Sequence, residues 1–217
     1  MRKHIVCFGD SNTHGYCADP KDCAEGGNRF SEEERWTCLL QKKFGDSALV
    51  IEEGLSGRTT VFTDPLHESM AGLGSIYSVL MSHEPVDLLI IMLGTNDTKE
   101  RFGANAACIG IGMERLILKA KSIPCWRNEK PEILVIAPPH IGEGLYLVPE
   151  GEPMGRGCPE KSRDTAKHFR AVAQRQGCRF LDAEGIAEFN TIDCMHLTRK
   201  GHAQLAEALA GILPEIL

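Results

Sequence analysis

Two rhythms of apolar residues alternate along the chain. Short runs rich in Val, Ile and Leu fall at 4–8, 48–53, 88–93, 133–137 and 179–182, and each predicts a β-strand. The run Leu88-Leu89-Ile90-Ile91-Met92-Leu93 is apolar without alternation, as a parallel strand covered on both faces requires. Between the runs, apolar residues recur three and four positions apart, which predicts helices with one buried stripe. The helix predicted over 32–43 aligns Trp36, Leu39 and Leu40, with Phe44 just beyond it. That over 74–83 aligns Ile76, Val79 and Leu80, and that over 106–122 aligns Ile109, Met113, Leu116, Ile117 and Ala120. Two further helices are expected over 162–176 and 198–213. Trp36 lies within its stripe, so it is expected in the core rather than against a substrate.

Strands that alternate with helices imply right-handed βαβ units. The expected architecture is therefore α/β: a three-layer α/β/α sandwich around an open parallel sheet. In such sheets ligands bind beyond the carboxyl ends of the strands, so residues just after each strand carry most of the information. No repeat, low-complexity tract or linker divides the chain, and residues 1–217 are expected to form one domain. The stretch 138–159 is rich in Gly and Pro and long for a connection. It is expected to be a functional or mobile loop.

Composition narrows the function classes. A length of 217 residues with 42% hydrophobic and 25% charged residues is ordinary for a globular chain. The formal charge of −6, with basic residues never running longer than pairs such as Lys42-Lys43, argues against nucleic acid as a partner. No stretch reaches the ~18 apolar residues of a membrane span, and the run after Met1 is broken by Gly9 and Asp10, too early for an export signal. A cytoplasmic location is expected. The nine cysteines are an odd number and contain no Cys-x-x-Cys pair, so reduced thiols are expected. Cys17, Cys23 and His14 lie close together, but no second ligand pair with zinc spacing follows, and no metal site is expected.

The strand ends hold the candidate chemistry. Gly9-Asp10-Ser11-Asn12-Thr13 follows the first run. A serine where a strand turns into a helix can direct its own N–H at a developing oxyanion; the plain alternative is a helix cap. The block is not the Gly-x-Ser-x-Gly elbow, since Thr13 stands where that motif needs a glycine. Gly54-Leu55-Ser56-Gly57-Arg58-Thr59-Thr60 follows the second run and reads as either a turn or a close backbone approach to a ligand. Gly94-Thr95-Asn96-Asp97 follows the third. There the Asn96 amide can donate to a negative oxygen or merely close an Asx-turn. Before the last helix, Asp193-Cys194-Met195-His196 places an acid and an imidazole three apart. That spacing lets the carboxylate accept from Nδ1–H and leaves Nε2 as a base; alone it could equally be a surface pair.

No block decides the matter singly, but together they supply a nucleophile, a base, an orienting acid and oxyanion donors at one sheet edge. In this order and composition the sequence resembles the SGNH hydrolase (GDSL-type) family, whose marks fall here on Ser11, Gly57, Asn96, and Asp193 with His196. The blocks at 8–15, 54–60, 82–85 and 91–97 look like the bacterial arylesterase and acyltransferase branch. The resemblance implies a flavodoxin-like five-stranded sheet of order 2-1-3-4-5. It also implies hydrolysis of small carboxylic esters through an acyl-enzyme, with no metal or organic cofactor. Acyl transfer to alcohols and a homo-oligomeric assembly belong to the same implication. Ser11, His196 and Asp193 are then the catalytic residues, and the N–H groups of Ser11 and Gly57 with the Asn96 side chain form the oxyanion hole. Asp10 and Asp97 are expected to brace the loops through backbone hydrogen bonds, and Arg58 either to pair with one of them or to be solvated. The segment starting at Pro138 matches the family pattern poorly and is expected to shape the acyl pocket.

Other readings stay open on the sequence alone. Within esterases these are a carbohydrate O-acetyl esterase or a thioesterase. A non-catalytic binding module on a decayed esterase fold is the alternative from another class. A haloacid-dehalogenase-type phosphatase fits poorly, because Asp10-Ser11-Asn12-Thr13 lacks the second acid of Asp-x-Asp-x-Thr.

Overall fold

The computed structural model describes residues 1–217. Its strands are β1 (Lys3–Gly9), β2 (Ala48–Gly54), β3 (Leu88–Met92), β4 (Ile133–Ala137) and β5 (Arg179–Asp182). They form one parallel sheet of order 2-1-3-4-5. The helices are α1 (Ser11–His14), α2 (Trp36–Phe44), α3 (Gly72–Ser82), α4 (Ala106–Lys121), α5 (Gly151–Met154), α6 (Cys158–Gln176) and α7 (Arg199–Ile212).

The unbroken apolar run of β3 is explained by the two cores on either side of it. Leu89 and Ile91 join Val6, Phe8, Ile76, Ile109, Met113 and Phe169 on the face covered by α3, α4 and α6. Leu88, Ile90 and Met92 join Ile5, Cys7, Trp36, Leu40, Leu205 and Leu209 on the face covered by α2 and α7. Successive side chains of a strand point to opposite faces, so every position of β3 must be apolar. Trp36 is in the core, as its place in the stripe predicts.

Two helix starts and one connecting stretch differ from expectation for identifiable reasons. Helix α2 starts at Trp36 rather than at 32, because Ser31 and Glu34 close a separate turn. Glu34 accepts from both the N–H and the hydroxyl of Ser31 at 2.9 Å. The Trp36 N–H, left over at the helix start, donates to Nδ1 of buried His202 at 3.2 Å. Helix α6 starts at Cys158, with Pro159 in its first turn, where a missing N–H costs nothing. The stretch 138–159 is not one long irregular loop. It contains a 3₁₀ turn (Glu143–Leu147), α5 and the start of α6, and it buries Ile141, Leu145, Met154 and Cys158 against Cys194 and Met195. No helix is long and apolar enough to cross a membrane.

The order 2-1-3-4-5 places the switch point between β1 and β3, each leading into a connection that runs away from the other. A crevice opens beyond their carboxyl ends. Ser11 follows β1, and Asn96 follows β3.

Candidate active site

Strand β1 delivers Ser11 to the first position of a four-residue helix. Gly9 lets this turn sit tight on the sheet, since a Cβ there would lie 2.1 Å from Thr13 Oγ1 and 2.9 Å from the Met92 carbonyl. Ser11 Oγ lies 2.8 Å from His196 Nε2, joining residues 185 positions apart. His196 Nδ1 lies 2.7 Å from Asp193 Oδ2. The carboxylate thus accepts a hydrogen bond from Nδ1–H, which keeps that proton on Nδ1 and leaves Nε2 free to accept one from Ser11. Tyr16 packs on the imidazole, with ring centroids 4.5 Å apart.

The acid is held by its own turn. Asp193 Oδ1 accepts from the N–H groups of Met195 and His196, both at 3.1 Å, and from Asn190 Nδ2 at 3.0 Å. Burial pushes the Asp193 carboxyl up, but the contact with His196 and these N–H groups outweigh it and hold it below its ordinary value. Asn190 also closes on the His196 carbonyl at 2.8 Å, and its Oδ1 accepts from the Asp193 N–H at 2.9 Å. No motif singles out Asn190 in the sequence; its place three residues before the acid is the signal that could have found it.

The three residues expected to supply oxyanion donors border one cleft. The N–H groups of Ser11 and Gly57 are taken by no other protein group, and Gly57 keeps a φ of 92° that a side chain would resist. Asn96 donates one amide hydrogen to the Arg58 carbonyl at 3.2 Å, which aims the amide and leaves the second hydrogen unspent. Ser11, Gly57, Asn96 and His196 all line one cleft of about 260 Å³.

Asp97 and Arg58 tie the strand ends together, and Asp10 closes its own turn. Asp10 Oδ1 accepts from the Asn12 N–H at 3.0 Å. Asp97 accepts from the Thr60 N–H at 2.9 and 3.2 Å and from the Thr60 hydroxyl, joining the segment after β3 to that after β2. Both carboxyls therefore meet loop backbone. Burial pushes each up to about 6, against the pull of these donors. Arg58 departs from expectation: its guanidinium pairs with neither acid and is not solvated. It donates to the carbonyls of Gly9, at 2.9 Å, and Glu53, and stacks over the Phe8 ring at 4.1 Å. A planar donor fork meets carbonyls at a strand end as well as it meets a carboxylate. Burial with no carboxylate in direct contact lowers Arg58 to about 10.

The far wall of the cleft comes from His67, Glu150, Pro153 and Met154. Lys99 and Arg101 also line it, each within 3.3 Å of the buried Asp64 carboxylate. Cys17 and Cys23 are thiol donors to the carbonyls of Asp19 at 2.9 Å and Arg29 at 3.2 Å. Burial pushes the Cys17 thiol up to about 11.

A sequence model described as the GDSL-like lipase/acylhydrolase family matches residues 7–204. No curated protein sequence matches significantly. Among solved structures, the native aryl esterase of M. smegmatis is 33% identical; the match covers 99% of this chain and 100% of that one, with a TM-score of 0.86. A carbohydrate acetylesterase family member from Sinorhizobium meliloti is also 33% identical, with 99% of both chains covered and a TM-score of 0.87. A lipolytic protein of the G-D-S-L family from Veillonella parvula, 15% identical over 98% of both chains with a TM-score of 0.69, shares the fold.

Proposed function

This chain belongs to the GDSL-like lipase/acylhydrolase family, and on that premise we propose that it hydrolyses small carboxylic esters through an acyl-enzyme on Ser11. The observation that carries the reading is the chain of contacts from Ser11 Oγ to His196 Nε2 at 2.8 Å and from Nδ1 to Asp193 at 2.7 Å. Oγ attacks the ester carbonyl carbon as His196 Nε2 takes its proton, and Asp193 stabilises the imidazolium that forms. The carbonyl oxygen becomes an oxyanion held by the N–H groups of Ser11 and Gly57 and by Asn96 Nδ2. When the intermediate collapses, the alcohol leaves with the proton from His196. Water, deprotonated by the same imidazole, then attacks the acyl group and releases the acid and free Ser11. An alcohol in place of that water would give acyl transfer.

A cleft of about 260 Å³ is just below the ~300–1,000 Å³ usual for ligand pockets, which favours a short acyl group. Release of p-nitrophenol across esters from acetate to octanoate tests this, and turnover should fall steeply as the acyl chain lengthens. A fluorophosphonate probe should label Ser11, and failure to label it would point to a non-catalytic module. The carbohydrate O-acetyl esterase reading draws on one observation: His67, Lys99, Arg101 and Glu150 place several polar heads around the cleft, which suits a hydroxyl-rich alcohol. Faster release of acetate from an acetylated sugar than from p-nitrophenyl acetate would select it. We read residues 1–217 as one catalytic domain, located in the cytoplasm and assembled as a homo-oligomer; gel filtration tests the assembly.

A further inference from the structure

Every polar heavy atom of Asn12 is engaged, although the residue is only 1% exposed. Its N–H donates to Asp10 Oδ1 at 3.0 Å, and its carbonyl accepts from Trp36 Nε1–H at 3.2 Å. Its side chain reaches across the fold. Nδ2 donates to the Met195 carbonyl at 3.2 Å, and Oδ1 accepts from the Leu197 N–H at 2.9 Å. Those two residues flank His196, and Asn12 adjoins Ser11. A single amide therefore grips the backbone on both sides of the imidazole from the position next to the hydroxyl.

We propose that Asn12 is a positioning residue that sets the register of His196 against Ser11. The proposal rests on reading those two as base and nucleophile. The other bonds near His196 have a different reach. Asn190 and Asp193 hold it within its own turn, the Gly142 N–H ties Cys194 to the segment after β4 at 2.8 Å, and Tyr16 only packs on the ring, so none of these is a hydrogen bond from that turn to α1. The ties from Arg199 to Asp22 are exposed and lie beyond Leu197. One hydrogen bond between two segments is a pivot; two from a rigid planar amide fix both offset and rotation. Reacting groups displaced by about 1 Å can lose about 10²-fold in rate, so the register matters more to turnover than to substrate binding.

Asn12→Leu, with the same branched outline of heavy atoms but bulkier and without the amide, tests this on p-nitrophenyl acetate at a temperature where circular dichroism shows the variant folded. The expected result is a fall in kcat of about a hundredfold with little change in KM. Asn12→Asp keeps the acceptor for the Leu197 N–H but turns a carboxylate oxygen toward the Met195 carbonyl. It should lose less rate, and the pH at half-maximal kcat/KM should move upward, because negative charge near the imidazole favours its protonated form. A residue that only stabilised the fold would lower Tm and leave kcat and the pH profile of the folded enzyme unchanged. Wild-type kcat in folded Asn12→Leu would overturn the proposal. If that variant does not fold, full kcat with an unshifted profile in Asn12→Asp would overturn it instead. Ser11→Ala is assayed beside them: turnover persisting there brings down the underlying reading, whereas an inactive Ser11→Ala beside a fully active Asn12→Leu brings down only the role of Asn12.

Discussion

The wall of the cleft built from the ends of β1, β2 and β3 is cross-tied and nearly closed to solvent, whereas the wall built from 65–69 and 146–150 stands largely open. On the first wall Asp10, Ser11, Arg58, Thr60, Asn96 and Asp97 are all buried, and all but Asp10, which closes its own turn, bond to a neighbouring strand end or turn. On the second, Leu66 and Leu147 are 65% and 89% exposed, and His67 and Glu150 face water. Charge stabilisation in a transition state needs donors that are already aimed, so that nothing reorganises as the reaction proceeds. Selecting among alcohols and acyl groups needs only contact. The difference suggests a division of labour, with chemistry on the closed wall and substrate choice on the open one.

The largest expected effects come from the closed wall. Ser11→Ala removes the only nucleophile of the proposed mechanism and should abolish p-nitrophenyl acetate turnover down to the ~10³–10⁴-fold residue over water that binding and oxyanion donors give elsewhere. A variant with most of its activity intact would break the comparison at once. Asn96→Ala removes one aimed donor and should cost ~10²–10³ in kcat, with KM little changed. If KM rose instead and kcat held, Asn96 would belong with the contact residues of the other wall.

A smaller effect sits behind the closed wall, at His202. Burial, with the nearby positive charges of Arg35 and His196, lowers its pKa to about 3, and its Nδ1 must stay unprotonated to accept from the Trp36 N–H. A histidine depressed in the folded state stabilises the fold above its unfolded pKa of ~6.5 and loses that contribution as pH falls toward the folded value. The loss amounts to about 1.4 kcal/mol per pH unit below ~6.5. Asp10 and Asp97 act in the opposite sense. Their carboxyls are raised by burial to about 6, so their contribution is full below ~3.8 and disappears as pH rises through about 6. Urea midpoints at pH 7.5 and 5.5 should therefore differ little in the natural protein. His202→Gln, which can still offer an acceptor to Trp36, should become more stable at pH 5.5 relative to pH 7.5. An unchanged pH response in that variant would remove His202 from the account.

How far the two walls could be read in the sequence follows the same division. Ser11, Gly57, Asn96 and the Asp193–His196 pair each stand in a short block whose local spacing matches the chemistry proposed for it. The strands were equally legible, because a five-residue apolar run such as Leu88–Met92 has few other uses. The target of Arg58 was not legible, since carbonyls of Gly9 and Glu53 reach it only once β1 and β2 pair. Nor was the grip of Asn12 on residues 183 and 185 positions away. The stretch 138–159 misled because Gly and Pro signal irregular backbone, while its burial depends on irregularly spaced Leu145, Met154 and Cys158 meeting Cys194 and Met195 from a distant turn.

The smallest expected effects belong to the open wall, and they are the sharpest test of its separateness. Glu150 lines the cleft, and Leu147 protrudes from the same segment with little covering it. Substitutions at such positions usually move stability by no more than ~0.5 kcal/mol. Glu150→Gln and Leu147→Ser should therefore keep Tm and leave kcat on p-nitrophenyl acetate near the natural value, because neither residue has a part in the proposed reaction. What should change is the ratio of kcat/KM between substrates, by a few-fold. Altering one side of the cleft shifts the preference between acetate and longer acyl esters, or between aryl and sugar alcohols. A fall in kcat comparable to that of Asn96→Ala would mean that 146–150 closes over the substrate and joins the reaction, and the two walls would then have to be treated as one.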